Sequence, residues 1–168
     1  FTRCYTAASS EEIVDSGEPA AVGTPAIAAS TRPMWDAFNL EGQVRMNLAN
    51  GDKALTIALL HGTQTDKFQG LPSSGKAFGV FVAEAQTLDD QGRHGAVRNY
   101  IDLAGMMAQL GGAPRGTKFR APYVVTDKQP LVAIATGSDV ETANVATIQG
   151  GFELFNKKDW KGLTAIYY

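Results

Sequence analysis

The stretch Ala49-Asn50-Gly51-Asp52 constrains this chain more than any other, because it joins two strand-like runs, Gln43 to Leu48 and Lys53 to Leu60. Asn-Gly accepts the positive φ angles that a tight turn of the correct twist requires, so the two runs are predicted to form an antiparallel hairpin. Further strands follow. Ala77 to Leu88 carries Phe78, Val80, Phe81 and Val82, the cluster Asp89-Asp90-Gln91-Gly92-Arg93 turns the chain, and the next run ends at Asp102. The expectation is four antiparallel strands in a meander. Between the second and third, Gly62 to Gly75 holds three glycines, Pro72 and a polar majority, which marks a long loop between strands.

Upstream, Phe1 to Val14 reads as a short helix or irregular lead-in, with Ile13-Val14-Asp15 as an edge strand ended by Ser16-Gly17-Glu18-Pro19. A helix is predicted next, with Thr24 as N-cap and Pro25 at the first helical position, where the missing N–H costs nothing. Pro33 should kink or split it. Trp35 and Phe38 are expected to fill core or pocket.

Ala96 to Gly111 passes from strand to helix at Asp102. Arg98, Tyr100 and Asp102 share one side of the extended run and Val97, Asn99 and Ile101 the other. Leu103, Met106, Met107 and Leu110 then recur at helical spacing up to Gly111-Gly112. Two roles fit Asp102, helix N-cap and chemical group, and its methionine surroundings make it the one acid that reads as buried. Residues 112–137 read as an extended connector with Pro114, Pro122 and Pro130, in which Tyr123-Val124-Val125 and Leu131 to Ile134 are strand-like. Ser138-Asp139-Val140-Glu141 is a capping box, and Val145, Ile148, Phe152 and Phe155 fall on one helical face. Asn156-Lys157-Lys158 breaks that helix, Asp159 caps the next, and Trp160, Leu163, Ile166 and Tyr167 offer a second apolar face.

The 168 residues are 44% hydrophobic and 19% charged, with a mean hydropathy of -0.12, which suits one globular domain. Fifteen basic and seventeen acidic residues give a net charge of -2 without a basic track, so nucleic acid is not an expected partner. No apolar run is long enough to span a membrane. Cys4 is the single cysteine and no Cys/His spacing suits a metal, so the expectation is a reducing, cytoplasmic location and no metal. His61 is read as a strand residue and His94 as an exposed turn residue. Serine-elbow, zinc-protease, phosphate-loop and Cys-His signatures are missing.

Three segments together carry a resemblance. Leu60-His61-Gly62-Thr63-Gln64-Thr65-Asp66-Lys67-Phe68 with Pro72-Ser73-Ser74-Gly75-Lys76, the run Arg98 to Gly111, and Gly151-Phe152-Glu153-Leu154-Phe155-Asn156-Lys157-Lys158-Asp159-Trp160 resemble the SnoaL-like polyketide cyclase branch of the nuclear transport factor two-like superfamily. That likeness implies an α+β fold, a curved antiparallel sheet forming a cone (a cystatin-like α+β barrel) covered by helices. The order differs, since the family's opening helical pair stands last here. The implied arrangement is a sheet and helix region at 1–111, a connector at 112–137, and a helical pair at 138–168. That pair completes the fold in cis, on a partner, or belongs to a tandem copy. Return in cis or exchange is favoured, because a half-apolar sheet needs a cover. Gln64 stands where the family has His, Phe38-Asn39-Leu40 where it has Phe-Pro-Asp, and Thr2 to Glu12 has no clear counterpart.

The resemblance implies a cyclase or isomerase in which Asp102 is a general acid/base on an apolar, polyketide-like carbonyl compound, with no cofactor. Desolvation inside the cone would raise the Asp102 pKa toward working pH. Trp35, Phe38, Gln64, Phe68, Phe81, Arg98, Tyr100, Met106 and Met107 are the candidate substrate contacts, with Arg98 and Tyr100 placed to orient Asp102 or a substrate oxygen. The alternative is a noncatalytic module of the same fold that binds a small apolar ligand or dimerises, Asp102 serving only as cap; a hydrolase of the same fold is a third reading. Val97 and Ile101, opposite Asp102, suggest an outer interface and hence a homodimer or higher oligomer.

Overall fold

The computed structural model describes residues 3–14, 16–124 and 129–167. Asp15 and Val125, assigned above to strand-like runs, lie outside the described residues, as do Phe1 and the side chain of Tyr167. The chain divides into two compact units, Phe1–Ala133 and Ile134–Tyr168. Among the described residues no helix is long and apolar enough to cross a membrane.

The first unit follows the order β1 (Tyr5–Ile13), β2 (Ala21–Val22), α1 (Thr24–Ala37), β3 (Phe38–Asn50), β4 (Lys53–Gln64), β5 (Ala77–Leu88), β6 (His94–Ile101) and α2 (Leu103–Leu110). With β7 (Leu131–Ile134) the sheet has seven strands in the order β2-β1-β6-β5-β4-β3-β7. The meander β3 to β6 is antiparallel as expected, and its first turn pairs Asn50 with Lys53 around Gly51 at φ 58. β3 begins five residues earlier than expected (Phe38, not Gln43) and β4 ends four later (Gln64, not Leu60), because Phe38 pairs opposite Gln64 and both are buried. Gly62 permits that extension: a Cβ there would collide with the Asn39 carbonyl across the ladder.

β1 is the main departure. Residues read as helical or irregular form a strand parallel to β6, which makes the curved sheet mixed. A bulge between Tyr5 and Ser10 turns fully buried Ser9 inward. Its hydroxyl takes the Thr6 N–H at 2.7 Å and donates to the His94 carbonyl, so tertiary hydrogen bonds outweigh the helical preference of Ala7-Ala8. His94 is therefore the half-buried first residue of β6, its ring 4.9 Å from that of Tyr5, and not an exposed turn residue.

α1 starts one residue after Gly23, which is the N-cap in place of Thr24, its non-helical backbone (φ 81) offering the carbonyl that accepts Ile27 N–H at 3.1 Å; Pro25 sits in the first turn. Pro33 lies inside the helix without splitting it. Ile27 before it and Ala37 after it are both buried and hold the two ends. Met34 packs on the core, and Trp35, the next residue round the helix, is 60% exposed; it fills neither core nor pocket.

The core lies on the inward face of the meander, where Phe38, Phe68, Phe78, Val80, Met106 and Leu110 cluster with Ala37. Alternation along β6 is as expected, but the sides are reversed. Val97 and Asn99 are buried and Ile101 packs on the core, whereas Arg98, Tyr100 and Asp102 are exposed. Val97 and Ile101 thus offer no outer interface.

In the second unit the capping box forms, with Glu141 N–H donating to Ser138 Oγ at 3.3 Å and Ser138 N–H to Glu141 Oε2 at 2.9 Å. It opens α3 (Asp139–Asn156), and Asp159 accepts from Gly162 N–H at 2.9 Å at the start of α4 (Trp160–Tyr167). Phe155 and Trp160 meet edge to face at 5.7 Å, and Val145, Ile148, Phe152 and Phe155 are each more than half exposed.

Ile27 is the fully buried anchor of α1. Ile27→Ala should lower unfolding free energy by about 2–5 kcal/mol through lost transfer energy and the cavity left behind. Urea unfolding followed by circular dichroism checks this, and a loss below about 1 kcal/mol would mean that α1 is not anchored there.

Candidate functional site

Asp102 ends β6 and opens α2. Its Oδ1 accepts the Gly105 N–H at 2.7 Å, satisfying one of the free donors of the first helical turn. Gly105 is required for this approach, since a Cβ there would strike the Asp102 carboxylate. The carboxylate is exposed, not buried as the sequence led one to expect.

It borders a groove of about 270 Å³ lined by Val80, Phe81, Asp102, Gly105, Gln109, Arg120 and Tyr123. Gln109, buried on α2, fixes the far wall. Its Oε1 accepts Gly79 N–H at 2.9 Å, and its Nε2 donates to the Gly79 and Arg120 carbonyls at 3.3 and 3.2 Å. Tyr123 N–H adds a 3.2 Å bond to the Gly79 carbonyl, and Gly79 leaves room for that segment, because a Cβ would meet the Tyr123 backbone at 2.6 Å. The Phe81 and Tyr123 rings meet edge to face at 4.7 Å, and the Arg120 guanidinium lies 4.8 Å over the Tyr123 ring. The groove thus has an aromatic wall, one carboxylate and one guanidinium.

Of the residues singled out in the sequence, Asp102 and Phe81 meet at this groove. Phe38, Phe68 and Met106 are core, with Met107 packed against them. Gln64 is fully buried and accepts the Ser74 hydroxyl at 2.6 Å, its Nε2 without a partner among the described residues. Arg98 is paired with Glu12 at 2.9 Å on the exposed face, Tyr100 is exposed beside it, and Trp35 is exposed on α1. Gln109, Arg120 and Tyr123 escaped the sequence reading, although Arg120-Ala121-Pro122-Tyr123 is a basic and aromatic cluster within the connector.

A second polar cluster lies on the inward face of β1, β5 and β6. Glu11 accepts from Tyr5 Oη at 3.0 Å and from Asn99 Nδ2 at 3.0 Å, and Glu84 stands opposite Asn99 in the ladder. Burial raises the Glu84 pKa, and the nearby Glu11 carboxylate raises it further. The same two causes, burial first, push the Tyr5 hydroxyl upward, while burial lowers the His94 pKa against an opposing pull from Glu11. These acids went unnoticed because β1 did not read as a strand. Among the described residues no group of three or more acidic, Cys or His side chains is placed to hold a metal ion.

A model of the SnoaL-like polyketide cyclase family matches residues 5–110. Solved structures match the same fold. A protein from Jannaschia sp. CCS1 named as a SnoaL-like polyketide cyclase is 26% identical, with 67% of this chain and 76% of that one covered and a TM-score of 0.60. TsrD from Streptomyces laurentii is 22% identical, with 66% and 80% covered and a TM-score of 0.57. A protein of ketosteroid isomerase-like fold from Catenulispora acidiphila is 14% identical, with 70% and 84% covered and a TM-score of 0.56. No curated protein matches the chain.

The Glu84 shift has a consequence for stability. A carboxyl whose pKa is higher folded than unfolded favours the fold most below its ordinary value of 4.5, and that advantage is lost as pH rises through the folded pKa. Glu84→Gln should therefore be more stable than the parent at pH 7, with the gain shrinking toward pH 4. Melting temperatures across that range check it, and a pH-independent difference would contradict it.

Proposed function

Because the chain belongs to the SnoaL-like polyketide cyclase family, we propose that it is a cofactor-independent cyclase or isomerase acting on an apolar, polyketide-like carbonyl compound, with Asp102 as the group that moves the proton. The observation that carries this reading is the position of Asp102 on the groove: the cap bond occupies Oδ1, and among the described residues Oδ2 has no hydrogen bond. In the reaction Asp102 takes the proton from carbon next to a carbonyl. The resulting enolate carbon attacks a second carbonyl of the same molecule, one carbon–carbon bond forms, and the new alkoxide takes the proton back. Arg120 supplies positive charge for the oxygen that becomes negative, and Phe81 and Tyr123 hold the apolar body. Geometry of this kind shortens the search for a reactive conformer.

The noncatalytic reading keeps one specific support, the 2.7 Å cap bond, which alone accounts for an Asp at this position. Asp102→Asn separates the two, because an amide oxygen still caps the helix but does not shuttle a proton at useful rates. With an apolar 1,3-diketone as probe, the parent should accelerate deuterium exchange at the carbon between the carbonyls, and the variant should lose about 100-fold or more of that rate while keeping its melting temperature. Equal exchange in both proteins, at equal fold stability, would leave Asp102 a cap and the chain a binding module.

A further inference from the structure

On the inward face of β1, β5 and β6 several hydrogen-bond acceptors have no donor to meet them among the described residues. We propose that this cluster, Glu84 with Asn99, Gln86 and Glu11, is a binding site for a protonated primary amine carried on an apolar body.

Glu84 has no hydrogen bond or ion pair among the described residues, and the neighbouring charge that acts on it is the like charge of Glu11. Asn99, its direct partner in the ladder, is more than nine-tenths buried; its amide nitrogen is committed to Glu11 Oε1 at 3.0 Å, which leaves Oδ1 in the same cluster with nothing to accept. Gln86, next but one to Glu84 and therefore on the same face, repeats the pattern. Its Nε2 donates to Thr56 Oγ1 at 3.2 Å and its Oε1 is bare. Both bare oxygens sit out of water, where an unmet acceptor is unfavourable.

The unpartnered buried atoms of Asn99 and Gln86 are acceptors and the two acids add negative charge; the groups beside them that could donate are His94, whose Nδ1 is also buried without a partner among the described residues, and the Thr56 hydroxyl opposite Glu84. Arg98 offers no relief, since it points to the opposite face and pairs there with Glu12. An ammonium group brings three donors and a positive charge in one small head, whereas a hydroxyl or a carbonyl would leave two carboxylates facing each other. Tyr5 and Asn99 hold Glu11 from two sides, so one carboxylate is oriented before any ligand arrives. Beyond Glu84 and Asn99 along the same face come Val82 and Ile101, an apolar floor for the rest of the ligand. The cluster shares no residue with the lining of the Asp102 groove, so it stands or falls independently of the proton-transfer reading.

The test uses the full chain with n-butylammonium chloride as probe and 1-butanol as its neutral counterpart, followed by calorimetry and by amide resonances. Saturable binding of butylammonium but not butanol is expected, with the largest shifts at Val82 to Gln86 and Val97 to Ile101. Glu84→Gln, which keeps the shape and removes the charge, should weaken amine binding about tenfold or more. Equal response to both probes, no saturable response to either, or a Glu84→Gln protein that binds the amine as the parent does would overturn the proposal. If that variant does not fold, the resonance map on the parent decides alone: saturable shifts confined to other parts of the chain refute the site.

Discussion

Everything in the first unit depends on the packing of Phe38, Phe68 and Phe78 with Met106 and Leu110 inside the bent meander. Phe38 meets Phe68 at 5.0 Å and Phe78 at 4.9 Å, both edge to face. Each pair adds about 0.5–1.5 kcal/mol to what burial alone contributes. This cluster joins the start of β3, the loop at 65–76, the start of β5 and α2. Because Met106 and Leu110 are drawn into it, α2 must turn back over the start of β5 as soon as β6 stops. That turn is what places Asp102 at a helix start.

The Asp102 groove is therefore a by-product of core packing, finished by one glutamine. β6 pairs with β5 only as far as Val82, so Gly79, which has His61 of β4 on one side, would lack a neighbour on the other. Gln109 supplies both the acceptor and the donor for it, and its remaining N–H reaches the Arg120 carbonyl, drawing the chain after α2 across the sheet end. A carboxylate, a guanidinium and two rings converge because a backbone requirement was met by a side chain. The cap bond takes one oxygen of Asp102 and the residue also lines the groove, so the cap and the proposed proton carrier are compatible.

The inward polar cluster arises differently. β1 lies parallel to β6 and brings Glu11 beside Asn99, which places a second carboxylate near Glu84 on a face that is otherwise apolar. Burial and the nearby Glu11 carboxylate raise the Glu84 pKa, so this acid on the inside of the sheet disfavours the empty fold at neutral pH. Stability has thus been given up at a place where the surrounding acceptors point the same way, and ligand recognition is a common reason for such a loss.

From the sequence alone the hairpin at Asn50-Gly51, the meander, the strand-to-helix passage at Asp102 and the capping box at Ser138 were legible, because each is set by neighbours within a few residues. Turn φ angles, alternation and cap hydrogen bonds are local physics. The resemblance carried by the segments around Thr63 and Asp102 likewise pointed to the right family and fold. Only the tertiary structure decided which side of β6 faces inward, since alternation defines two faces but does not say which one a core will cover. It also decided that Ala7-Ala8-Ser9 is strand, through bonds from Ser9 to Thr6 and to His94, the latter a residue 85 positions away. The partners of Asp102 in the groove, Arg120 and Tyr123, and the meeting of Glu11 with Glu84 belong to the same class. They depend on contacts between distant parts of the chain, for which no spacing in the sequence gives a signal.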